Sequence, residues 1–126
     1  FGVTIYWYKR SVNTPNGVPV EVLEAINNFD SDTVTIINDA YDSTYFNATR
    51  LHTATATYNC HSYAWYNSSS SYYWMNDPFY YYGGSNPSYS EITVPVANAK
   101  VTYWTTSHNP TNSHSGIVTY MIPLRI

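Results

Sequence analysis

Tyr58-Asn59-Cys60-His61-Ser62-Tyr63-Ala64-Trp65-Tyr66 is the stretch on which the reading of this chain turns. Asn59 has the short polar side chain of a helix N-cap. Ala64 is the strongest helix former, and the pairs Cys60/Tyr63 and Tyr63/Tyr66 stand one helical turn apart. The spacing predicts a helix that starts at Cys60 and ends in Ser68–Ser71. A thiol in a first turn lies in the field of unpaired backbone N–H groups, which favours its thiolate. Cys60 is the single cysteine, so no intrachain disulfide forms. Its sulfur is then either a small buried hydrophobe or a nucleophile.

Downstream, Asp77-Pro78 reads as a second helix start, with proline where a missing N–H costs little. That helix covers Phe79-Tyr80-Tyr81-Tyr82 and stops at Gly83-Gly84. Tyr89–Val94 and Lys100–Trp104 follow as strands, separated by Pro95 and Asn98. Ser107–Asn112, holding His108-Asn109-Pro110, reads as a hairpin loop, and His114–Met121 as a strand ended by Pro123. Upstream, Val3–Tyr8 is read as a strand and Asn13–Gly17 as a turn. Val22, Leu23, Ile26 and Phe29 recur at helical spacing, with Glu21 and Glu24 in the first turn, so Val20–Phe29 is read as a short amphipathic helix. Val34–Ile37 reads as a short strand and Asp39–Arg50 as a loop. Val (10) and Ile (8) outnumber Leu (3), which favours pleated structure. Helices first and an antiparallel meander after them predict an α+β layer fold, short helices packed on an antiparallel sheet.

Length and charge narrow the function. The 126 residues have room for one domain, spanning 1–126. Five Lys plus Arg and a net charge of -3 exclude nucleic acid as a partner, whose phosphates need clustered cations. No apolar run approaches the roughly 18 residues of a membrane span. Aromatic residues at 18% argue against long-lived disorder. With 14 Ser, 15 Thr, 13 Asn and few Lys, the chain has the composition of exported proteins, which points to a secreted or cell-envelope location. It opens at Phe1 without Met, as a mature product or a trimmed chain does. Asn47-Ala48-Thr49 and Asn67-Ser68-Ser69 match the glycosylation acceptor pattern at the frequency that chance provides in such a composition.

A cysteine nucleophile needs a base from an element packed against its helix, and His114 at a strand start fits. The backbone N–H of Cys60 or its neighbour is a donor for an oxyanion hole. His61 follows the thiol and on a helix points about 100° away, so it is read as surface or substrate-facing. His52 and His108 fall in loops. No His or Cys pair has zinc-ligand spacing, so neither a metal nor a cofactor is expected. The aromatic runs Tyr72-Tyr73-Trp74 and Phe79–Tyr82 suit either a sugar- or peptide-binding groove or a core.

Asn59-Cys60-His61-Ser62-Tyr63-Ala64-Trp65-Tyr66, the strand Lys100–Trp104 and then His114-Ser115-Gly116-Ile117-Val118 together resemble bacterial cysteine hydrolases of the papain-like NlpC/CHAP superfamily. The likeness covers roughly Thr53–Met121. It implies a papain-like fold and hydrolysis of a peptide amide, most often in peptidoglycan stem peptides or cross-bridges. Cys60 would be the nucleophile and His114 the general base, with Tyr58, Asn59, His61 and Trp65 as substrate-binding positions. Asn59 and His61 stand where NlpC-type enzymes carry the Asp and Ser of Asp-Cys-Ser-Gly. Asn98-Ala99 stands in place of a Gly-Asp pair. The family's imidazole-orienting residue lies on the strand after the histidine, and this chain ends at Ile126 without one. The resemblance thus implies a truncated C-terminus or an orienting group from elsewhere. The alternative is a non-catalytic module of the same fold that binds cell-wall glycan or peptide through its tyrosines.

Overall fold

The computed structural model describes residues 3–47, 49–50, 52–66, 72–104 and 113–119. The chain runs β1 (Trp7–Asn13), β2 (Pro19–Ala25), α1 (Ser31–Thr44), the π-helical α2 (Ser62–Tyr66), α3 (Phe79–Tyr82), β3 (Lys100–Trp104) and β4 (Ser113–Ile117). It is a small α+β fold with two separate antiparallel strand pairs, β1–β2 and β3–β4. A hairpin therefore leads, where helices were expected to. Among the described residues no helix is long and apolar enough to cross a membrane. The expected helix end at 68–71 and loop at 107–112 lie outside the described residues, as do residues 120–121 of the strand expected over His114–Met121, which ends at Ile117, before Val118 and Thr119.

The turn at 14–17 sets the first hairpin. Gly17 N–H donates to the Thr14 carbonyl at 2.8 Å, and Gly17 takes a φ of 84°, a conformation in which a side chain is strained. Thr14 Oγ1 accepts from Val18 N–H at 3.0 Å. The register that follows pairs Val12 with Val20 and Arg10 with Val22. The segment predicted as a helix over Val20–Phe29 is thus strand β2 over its first half. Val20 and Val22 flank Glu21 at period two, and the turn delivers a partner strand to them. Of the helical pattern Val22, Leu23, Ile26 and Phe29, the first two lie inside β2 and the last two beyond its end at Ala25. For the same reason β1 begins at Trp7 instead of Val3.

Helix α1 replaces the strand predicted over Val34–Ile37 and part of the loop after it. Asp30 caps it, Oδ1 accepting from Thr33 N–H at 2.8 Å. Val34, Ile37 and Tyr41 then fall on one helical stripe. Asn38 Oδ1 accepts from Ala54 N–H at 2.9 Å and ties α1 to the segment leading to Cys60.

Helix α3 forms where predicted, Asp77 Oδ1 accepting from Phe79 N–H at 3.0 Å. The strand predicted over Tyr89–Val94 does not form. Ser88 and Tyr89 both donate their N–H to the Tyr81 carbonyl, which holds Tyr89 against α3 instead of a sheet. Strand β3 has the predicted bounds, and β4 begins one residue before His114.

Several contacts join these pieces, among them the hydrogen bond from Asn16 N–H to Ser88 Oγ at 3.0 Å. Leu23 on β2 and Trp74 exchange two 2.8 Å backbone bonds. Val12, Val20 and Val22 pack with Ala64, Trp65, Met75 and Tyr81 in one core. The hairpin therefore shares its core with α2 and α3, and α2 also lies against β3 and β4.

Candidate active site

The chain turns helical at Cys60 and continues as α2. Asn59 is its N-cap: Oδ1 accepts from Ser62 N–H at 3.2 Å while Ser62 Oγ accepts from Asn59 N–H at 3.1 Å. This is a capping box with serine in the usual Glu or Gln place. The same amide grips Met75, Nδ2 donating to its carbonyl at 2.6 Å and Oδ1 accepting from its N–H at 3.1 Å. Asn59, expected to face substrate, has its amide engaged inside the fold. Cys60 is a half-buried free thiol in the first turn, placed there by that cap.

His61 is 2% exposed, so the surface position expected for it is corrected. Its Nδ1 lies 2.6 Å from Ser115 Oγ and its Nε2 3.0 Å from Ser113 Oγ. Burying an imidazole is costly unless its nitrogens are bonded, and the two serines on one face of β4 meet that need. Ser115 Oγ also contacts Thr102 Oγ1 at 2.7 Å and accepts from Trp65 Nε1 at 3.0 Å. A hydroxyl has one donor and two acceptor sites, so these three neighbours saturate it. Burial pushes the His61 pKa below the ordinary histidine value; the nearby Asp77 carboxylate opposes that shift and His114 reinforces it.

Trp65 is 6% exposed, most of its ring taken up by packing in the core. Its indole N–H is shared between Thr102 Oγ1 at 2.9 Å and Ser115 Oγ. Tyr81, Tyr82 and Tyr89 surround its ring at 5.4–5.8 Å between centroids. Trp65 belongs to the buried core with Val12, Val20, Val22 and Ala64.

His114 sits between the two serines that hold His61, but on the opposite, exposed face of β4. Its ring lies 5.8 Å from that of Tyr103, its cross-strand partner. Among the described residues no hydrogen bond joins Cys60 to His114. Tyr58 is half-buried and stacks on Tyr63 at 6.3 Å, and Tyr63 meets exposed His52 at 6.2 Å. Tyr58, Tyr63 and His52 thus form an aromatic run next to the helix start.

Ser113, Ser115 and Thr102 were not singled out from the sequence. The signal was there: hydroxyls alternate around His114, as strand residues facing a polar partner do. Among the described residues no three His, Cys, Asp or Glu side chains cluster to hold a metal ion. No family model, curated protein or solved structure matches the chain.

Proposed function

We propose that this chain is a papain-like cysteine hydrolase of the NlpC/CHAP type that cleaves a peptide amide in bacterial cell-wall peptidoglycan, outside the cytoplasm. One observation supports it above the rest. His61, the residue after the thiol, is bonded to Ser113 and Ser115, the two residues that flank His114. The capped helix start and the strand bearing the imidazole are therefore locked together.

In this reading Cys60 Sγ attacks the amide carbonyl carbon, forming a C–S bond as the C–N bond breaks. His114 takes the thiol proton and passes it to the leaving amine. Water then hydrolyses the thioester to a carboxylate and restores the thiol. The Cys60 backbone N–H stabilises the oxyanion, and Tyr58 lines the approach. The test is incubation with purified peptidoglycan and mass spectrometry of the released peptides. Amide-cleaved products from the wild-type protein, and none from Cys60→Ala or His114→Ala, are expected. Products from Cys60→Ala at the wild-type level overturn the proposal.

A non-catalytic wall-binding module is the second reading. It is favoured by the position of His114 beside Tyr103, on the face of β4 turned from Ser115, and by exposed tyrosines such as Tyr8 and Tyr72. It predicts sedimentation with the wall that Cys60→Ala leaves intact, and no product from any variant.

A further inference from the structure

A recess of about 600 Å³ that Cys60 does not line opens beside β3. Trp65, Tyr82 and Tyr89 wall it, Lys100 stands in it and Glu91 borders it. The wall is preformed: Trp65 packs at 5.4 Å from both Tyr82 and Tyr89. Lys100 Nζ lies 6.0 Å from the Trp65 ring centroid and 5.6 Å from that of Tyr89, and it donates to the Ala64 carbonyl. An ammonium has three donors, and Ala64 takes one. Among the described residues both ion pairs, Arg10–Glu24 and Arg50–Asp42, use arginine, and no carboxylate pairs with Lys100. Burial pushes the Lys100 pKa down, as happens to a cation without a counter-charge.

We propose that this recess binds a carboxylate carried on an apolar body, as at the C-terminal end of a short peptide. Lys100 pairs with the carboxylate, and Trp65, Tyr82 and Tyr89 cover the apolar part. The site is independent of any chemistry at Cys60. A neutral aromatic wall favours such a ligand over a bare hydrated anion. The exposed Glu91 carboxylate at the border disfavours a second negative charge on it.

The test is NMR titration of the full chain carrying Cys60→Ser, so that no peptide is cleaved, following the Trp65 indole N–H. The probes are acetyl-alanyl-alanine, its C-terminal amide and inorganic phosphate. The free acid is expected to shift that resonance saturably, and the amide and phosphate to bind at least about tenfold more weakly. Lys100→Gln, which keeps a donor for Ala64, is expected to weaken the acid by a similar factor. Equal binding of acid and amide, phosphate binding as tight as the acid, or no shift at about 10 mM acid overturns the proposal. The acid–amide comparison uses unaltered Lys100 and stands even where the variant fails to fold.

Discussion

Ser115 Oγ lies 2.6 Å from His61 Nδ1, and this bond joins the helix start that carries the only thiol to the strand that carries His114. Trp65 and Thr102 converge on the same hydroxyl, so α2, β3 and β4 meet at one atom. The contact is a polar rivet inside an aromatic core, where a half-satisfied network is worse than none.

Removing the imidazole is expected to be expensive. His61→Phe keeps a ring in place but strips a hydrogen bond from both Ser113 Oγ and Ser115 Oγ. A loss of about 2–4 kcal/mol in urea unfolding follows. A change below about 0.5 kcal/mol would show that the network contributes nothing to stability.

Stability falls on the acid side. The folded-state pKa of His61 is depressed below its unfolded value of 6.5. Below 6.5 the unfolded chain binds a proton that the folded chain refuses, so stability drops as pH falls from 6.5 towards the folded pKa, and the contribution is complete above 6.5. The urea midpoint should decline between about pH 7 and pH 5, and His61→Gln should flatten that decline. An identical decline in both proteins would assign it to other groups.

Asn59 combines a cap with a two-point grip on Met75, and two substitutions separate these roles. Asn59→Asp keeps the acceptor for Ser62 N–H and Met75 N–H but loses the donor to the Met75 carbonyl. Asn59→Ala loses all of them. Thermal melting should rank wild type above Asp and Asp above Ala, with alanine costing about 2–3 kcal/mol. Equal melting of the two variants contradicts the cap.

Tyr81 is buried with a hydroxyl that has no hydrogen-bond partner among the described residues, and burial raises its pKa to about 12. Tyr81→Phe removes an unsatisfied polar atom without altering packing. It should leave stability unchanged or raise it by up to about 1 kcal/mol. A loss of more than about 1 kcal/mol would reveal a partner for that hydroxyl.

The elements written in local chemistry were legible in the sequence. Asn59 as cap, the Phe79–Tyr82 helix between Pro78 and Gly83, the turn at Gly17 and the strand Lys100–Trp104 all depend on near neighbours. What depends on distant partners was not. Val20 and Val22 become a strand because β1 lies across a turn, and Tyr89 is withdrawn from a sheet by the Tyr81 carbonyl. His61 and Trp65 were legible as polar and aromatic neighbours of a thiol. Their burial depends on Thr102, Ser113 and Ser115, more than 35 residues away along the chain.

The rate of Cys60 modification by iodoacetamide at neutral pH, compared between the folded protein and the protein in urea, decides whether the thiol is activated by the fold. An activated thiol paired with His114 reacts faster folded than unfolded, and His114→Ala loses that excess. A thiol that reacts only after unfolding, at a rate His114→Ala does not change, is not a nucleophile activated by His114.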